Sequence, residues 1–341
     1  MKAFYSGVAI LFILVGVAGG YIWLQVNKLN TPIDLAQPQL YEVSPGASAI
    51  AVIDDLRTKG ITSVPDVVSR LWFKVEPEVS QVRAGVFQLR PGMSLRSVFT
   101  LLAKGHEYQF PVSLVEGLTL QQWLSTLLAA PHLVDDTQGK MPSQWRLKLQ
   151  RVSGMPDDAY PEGLFLADTY HYSAGIRISD ILLRANQAMV IFLEEAWPNR
   201  GDNLPYDSPY DALIMASIIE KETAVATERP RIAGVFVNRL RKGMRLQTDP
   251  TVIYGIGDEF DGNLTRAHLR EKTPYNTYVI KGLPPTPIAM PGREAINAAL
   301  HPALTDEYYF VSKGDGSHQF SATLEAHNRA VNQYQRAKNR E

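Results

Sequence analysis

The 341-residue chain balances 34 Lys plus Arg against 35 Asp plus Glu, and 45% of its residues are hydrophobic. That is enough for two folded domains, and a net charge of −1 gives no electrostatic footprint for nucleic acid, so none is expected as a partner. Cysteine is absent, which excludes disulfides, thiolate metal sites, cysteine nucleophiles and a lipidated N-terminal Cys. The seven histidines show no HExxH or other close ligand pair, so neither a metal nor another cofactor is expected.

The first predicted element is a membrane span. Residues 4–26, FYSGVAILFILVGVAGGYIWLQV, contain no charge, lie between Lys2 and Lys28, and carry Tyr21 and Trp23 near the far end. The run is long enough for a hydrocarbon core of about 30 Å, with the aromatics placed as interfacial anchors. A cleaved signal peptide is the competing reading, because Val17 and Gly19 fit a small-residue cleavage site, but the apolar run continues past them. Residues 1–3 then form a tail, residues 27–39 a linker, and everything beyond an exported region.

A small pattern recurs next. SPGASAIAVIDDLRTKG (Ser44 to Gly60) returns as RPGMSLRSVFTLLAKG (Arg90 to Gly105), and more loosely as VEGLTLQQWLSTLL (Val115 to Leu128). Each has a strand-like lead, a Gly turn, a capping Ser or Thr and an amphipathic helix, which predicts an α+β module of about 70 residues starting at Leu40. The same grammar serves many unrelated folds. Residues 135–158 read as an irregular loop or lid, Gly163 to Tyr172 as an aromatic-rich segment, and Ile178 to Trp197 as a helix.

The segment DALIMASIIEKETAVA, Asp211 to Ala226, has no Pro or Gly and is predicted as a helix. At about 100° per residue, Met215, Ile218, Ile219, Val225, Ala226 and Glu222 share one face, while Glu220 points roughly 140° away into solvent. A carboxyl on an apolar face has a raised pKa and serves as a general acid near neutral pH. The competing readings are an ion pair between Glu222 and an Arg such as Arg239 or Arg245, or an apolar face that ends before position 222. A second helix spans Arg231 to Arg241, with Gly243 as terminator, and Met244 to His301 is rich in loop signals. Such loops, with their Tyr, Asn, Gln and Gly, suit a groove for an extended polar polymer. Asp249–Pro250 equally fits a helix start, and Asn276 a turn. The C-terminal segment reads as strand, Gly turn, strand and helix. No GxSxG elbow, Walker loop or GxGxxG is present, and a two-carboxylate glycosidase would need Asp249 or Asp168 as its second acid.

ASIIEKETAV, VFVNRLRKGMRLQTDPTVIYGIG, TPYNTYVIKGLPP and the His301–Pro302 pair closely resemble the YceG-like endolytic murein transglycosylases, across essentially the whole chain. The resemblance implies an α+β protein with an N-terminal transmembrane helix, a small LysM-like α+β domain over residues 40–110 and a larger mixed α+β catalytic domain over residues 111–341. It also implies a single-pass inner-membrane lyase that cuts nascent peptidoglycan glycan strands between N-acetylmuramic acid and N-acetylglucosamine, leaving 1,6-anhydro ends, alongside peptidoglycan synthases. The family's catalytic glutamate maps onto Glu222. Gln247 and Asn276 are the expected holders of the substrate acetamide, with Asp249 beside them and Tyr254, Tyr275 and Tyr278 facing the sugars. Ala167, Thr286 and Met290 depart from the family pattern in what are expected to be cleft-edge loops. A water-using muramidase with Asp249 as second carboxylate, and a non-catalytic glycan-binding scaffold, are the rival readings.

Overall fold

A computed structural model describes residues 2–139 and 148–336. The chain divides into two compact units, Met1–Phe110 with His171–Gly175, and Pro111–Tyr170 with Ile176–Glu341.

The first unit opens with α1 (Lys2–Asn27). Many side chains of residues 4–26, on which the membrane-span expectation rests, lie outside the described residues; among the described residues no helix is long and apolar enough to cross a membrane. Strand β1 (Gln39–Val43) follows, then α2 (Ala49–Thr58), α3 (Asp66–Val75), β2 (Gly85–Leu89) and α4 (Leu95–Lys104). β1 and β2 pair antiparallel, from Gln39 opposite Leu89 to Val43 opposite Gly85. One core, including Ile53, Leu56, Trp72, Phe87, Phe99 and Leu102, joins the sheet to its helices.

The recurring pattern is built as its residues suggest. Gly46, Gly92 and Gly117 turn the chain at φ of 79°, 85° and 76°, where a side chain would be strained. Ser48, Ser94 and Thr119 then accept N–H bonds from Ala51, Ser97 and Gln122 and start α2, α4 and α5 (Leu120–Ala129). Buried residues repeat at i, i+3, i+4 and i+7 in all three: Ala49, Val52, Ile53, Leu56; Leu95, Val98, Phe99, Leu102; Leu120, Trp123, Leu124, Leu127. At roughly 1.5–3 kcal/mol per buried large side chain, these stripes hold such short helices better than propensity does.

Further along the chain, β3 (Phe110–Leu114) pairs with β4 (Asp168–Tyr172), and α6 (Ile178–Ala196) follows in the second unit. Of the expected loop at 135–158, residues 140–147 lie outside the described residues. Its flanks are tied down: Asp136 accepts the N–H and hydroxyl of Ser179 at the start of α6, and Asn186 Oδ1 accepts the Gln150 N–H at 2.7 Å. The helices α7 (Pro209–Glu222), α8 (Arg229–Arg241), α9 (Asp249–Ile256) and α10 (Arg293–Leu300) form the body of the unit. A hairpin, β5 (Tyr309–Ser312) and β6 (His318–Ser321), and α11 (Leu324–Val331) complete it.

α7 corrects the sequence reading in two respects. It stops at Glu222, because Thr223 is extended at φ −146° and ψ 134°, so Val225 and Ala226 share no helix face with the glutamate. Every residue from Ala212 to Ile219 is buried, so the helix has no solvated side. The cause is position: α8, α9 and α10 all pack against it. A capping box, with Ser208 and Asp211 each satisfying the other's backbone N–H, fixes where it begins.

Candidate active site

α7 delivers Glu222 as its last helical residue, at the wall of a cleft of about 460 Å³. Gln247 and Asp249 at the start of α9 and Tyr278 of the loop after it line the same cleft, as do Tyr309, Ser312 and His318 of the hairpin and His327 and Asn328 of α11. A roomier cavity of about 820 Å³ lies between α8 and the loop at 301–306, but its carboxyl residues, Asp202 and Asp306, are exposed and none sits at a crowded helix end, so the chemistry is assigned to the smaller one.

Part of Glu222 reaches the cleft while protein crowds the rest. Burial is the leading influence and pushes its carboxyl above the usual carboxylate range. A hydrogen bond from Thr248 Oγ1 to Glu222 Oε1 pulls the other way, the neighbouring Asp249 carboxylate adds to the rise, and Arg239 opposes it, as does His318 only when its ring is protonated. The negative end of the α7 dipole also disfavours the anion. The result is a carboxyl suited to hold a proton and give it up.

The supporting residues are firmly placed. Thr248 is buried; its N–H donates to Thr277 Oγ1 at 3.1 Å, and its carbonyl accepts from Thr251 Oγ1 at 2.8 Å. Gln247 sits at φ 51°, an uncommon conformation for a residue with a side chain, and its N–H donates to the Thr277 carbonyl. Tyr278 donates its hydroxyl to Asp249 Oδ1 at 2.5 Å. Replacing Thr248 with Val removes a bond that favours the charged form of Glu222. The alkaline limb of the pH–rate profile is therefore expected to move to higher pH, as a profile of kcat/KM would show.

The structure gathers Glu222, Gln247, Asp249 and Tyr278 and leaves the other candidates elsewhere. Asn276 is 0% exposed: its amide donates to the carbonyls of His268 and Glu271, and its Oδ1 accepts the Tyr278 N–H, so it braces the loop instead of meeting a ligand. Tyr254 donates to Glu162 Oε2 and packs edge-on against Tyr275, whose hydroxyl bonds Thr286. Glu162 itself is 2% exposed, caps the α5 N-terminus through the Leu120 N–H, and is pushed up to about 7 by burial; sealed in the core, it cannot meet a polymer. Asp168 is exposed, 3.7 Å from Arg293. Thr286 and Met290 are buried, so they do not edge the cleft as expected from sequence.

Glu220 reverses its expectation. It is not solvated: its side chain is 5% exposed, accepts from Arg229 Nη2 at 3.2 Å and from the Gly292 N–H at 2.9 Å. The buried ion pair thus belongs to Glu220, and among the described residues Glu222 has none. Arg239 spends its Nε and Nη1 on the carbonyls of Tyr308 and Leu246, and Arg245 is exposed. Sequence reasoning missed Thr248, His318 and Glu228. The turn preceding Asp249 was a signal for the first; nothing in the local pattern marks the other two.

The sequence model of the YceG-like family matches residues 41–333, most of the chain. The chain belongs to the YceG-like family. Among its relatives, a Bacillus subtilis (strain 168) protein named endolytic murein transglycosylase is 30% identical over 94% of this chain and 92% of its own length. A Streptococcus pneumoniae serotype 2 (strain D39 / NCTC 7466) protein of the same name is 26% identical over 99% of this chain but 66% of its own length, so this chain spans just under two thirds of it. A crystal structure of a YceG-like protein from Listeria monocytogenes superposes with a TM-score of 0.52 at 27% identity, covering 86% of this chain and 99% of that one. The site described above lies wholly within the matched YceG-like region.

Proposed function

We propose that the chain is an endolytic lytic transglycosylase of peptidoglycan, a lyase acting on glycan strands. The observation that carries the reading is a crowded carboxyl with a raised pKa, Glu222, lining a cleft in a YceG-like fold whose relatives bear that name. Glu222 gives its proton to the glycosidic oxygen as the bond between N-acetylmuramic acid and N-acetylglucosamine lengthens toward an oxocarbenium-like state. The substrate's own 2-acetamido oxygen covers the anomeric carbon. The Glu222 carboxylate then takes the proton of the C6 hydroxyl, whose oxygen closes on C1 to form the 1,6-anhydro end, and the acid is restored without water. Gln247 and Tyr278 are the cleft groups placed to orient the sugars.

Asp249 keeps one competing reading open, because it shares the cleft and raises the pKa of Glu222, as the second carboxylate of a water-using muramidase would. Mass spectrometry of glycan strands digested by the chain separates the two. Anhydro-ended products are expected; products heavier by one water would make Asp249 the base and overturn the lytic reading.

We also propose that α1 anchors the protein in the inner membrane, with the chain beyond it on the exported side. The uncharged run at residues 4–26 supports this, as do Ile13, Leu14, Val15 and Val17, which stand exposed on the helix. Such an anchor would hold the cleft near the membrane where nascent strands emerge, beside the synthases that extend them. The β1–α2–α3–β2 arrangement suits the LysM-like glycan-binding role implied by the resemblance.

A further inference from the structure

Two groups have no part in the proton transfers above: His318 on the cleft wall, and Glu228 behind it. Glu228, in the turn before α8, grips the first residue of β6 twice. Its Oε1 accepts the His318 backbone N–H at 2.9 Å, and its Oε2 lies 2.7 Å from His318 Nδ1. The side chains are 10% and 15% exposed, and of the two only His318 lines the cleft with Glu222. The Phe310 ring meets the imidazole edge-on, 5.4 Å between centroids, and limits its rotation.

An ionised carboxylate only accepts, so Nδ1 carries the hydrogen of the bond to Glu228. In a neutral ring that leaves the Nε2 lone pair as the polar group on the side away from Glu228. We propose that Glu228 locks His318 in the Nδ1–H tautomer, so that Nε2 accepts a hydrogen bond from the reacting sugar beside Glu222. His318 is then a substrate-touching group and Glu228 a positioning residue. The bond is worth most in the transition state: as the acetamido oxygen approaches C1, positive charge builds on the amide, and its N–H becomes a stronger donor. This role rests on the cleavage reaction proposed above.

The test is nitrogen NMR on the full chain labelled at histidine, in detergent micelles at about pH 8, where an imidazole is ordinarily neutral, with kinetics on the same samples. His318, assigned by its loss in His318→Asn, is expected to show a protonated Nδ1 and a bare Nε2. Glu228→Gln keeps the shape but replaces one acceptor oxygen by an amide. It is expected to populate the Nε2–H tautomer and to lower kcat by about tenfold or more at unchanged KM and melting temperature. His318→Asn should lose as much, and His318→Gln, whose amide reaches the Nε2 position, should recover part. An Nε2–H signature in the wild type, or wild-type kcat in Glu228→Gln, overturns the proposal. A wild type with the expected tautomer that cuts no glycan removes the cleavage reading instead, and the substrate role with it.

Discussion

Glu222→Gln is expected to lower kcat by on the order of 10²–10⁴-fold or more while leaving the fold intact. Gln matches the protonated acid in shape, and its carbonyl oxygen still accepts from Thr248. What it lacks is a proton to release to the glycosidic oxygen. The same substitution carries a stability signature with a definite sign. Because the folded carboxyl sits above the ordinary range, its contribution is fully present below the unfolded carboxylate pKa and is lost as pH rises through the raised value. The Gln variant escapes that loss, so its stability relative to wild type should grow toward alkaline pH. Product analysis and melts across pH measure both effects. Anhydro products made at more than a tenth of the wild-type rate would place the acid elsewhere, and a stability difference that shrinks with pH would contradict the assigned direction.

Arg229→Ala is expected to act on stability instead of chemistry. It removes the partner of a buried carboxylate, a change that typically costs about 3–5 kcal/mol. Glu220 keeps its Gly292 N–H and can neutralise by taking up a proton, since burial already raises its pKa despite Arg229. The loss should therefore lie near the lower figure, about 3 kcal/mol. At roughly 2–4 °C per kcal/mol for a unit of this size, the melting temperature falls by about 6–12 °C. Glu220→Gln, which keeps an acceptor for Gly292, should lose less. The check is kcat per folded molecule, from active-fraction titration beside the melt. A drop there comparable to that of Glu222→Gln would mean that the ion pair takes part in the reaction.

Local features were legible in the sequence where local physics decides them. The Gly turns and the Ser48, Ser94 and Thr119 caps announced three helices, and the Gly-rich turn between two apolar runs announced β5 and β6. Glu222 stands out in the sequence for a reason that the fold does not support. A helix wheel presumes one apolar face, whereas α7 is buried all round from Ala212 to Ile219, and what distinguishes Glu222 is its place at the helix end beside a cleft. Glu220 was read as solvated because its partners, Arg229 and Gly292, come from other elements. Asn276 and the Tyr254–Tyr275 pair have the chemistry of a sugar site but bond inward to backbone and core. Composition names the chemistry a residue can offer; only the fold says which way it faces.

Much of the cleft lining comes from β5, β6 and α11, which follow α7 to α10 in the chain. Glu222 therefore leaves the ribosome long before His318 and His327 exist. A partly made chain holds the proposed acid but lacks the hairpin and helix that line the rest of the cleft. Assembly order thus acts as a safety catch on an enzyme that cuts the wall on which the cell depends.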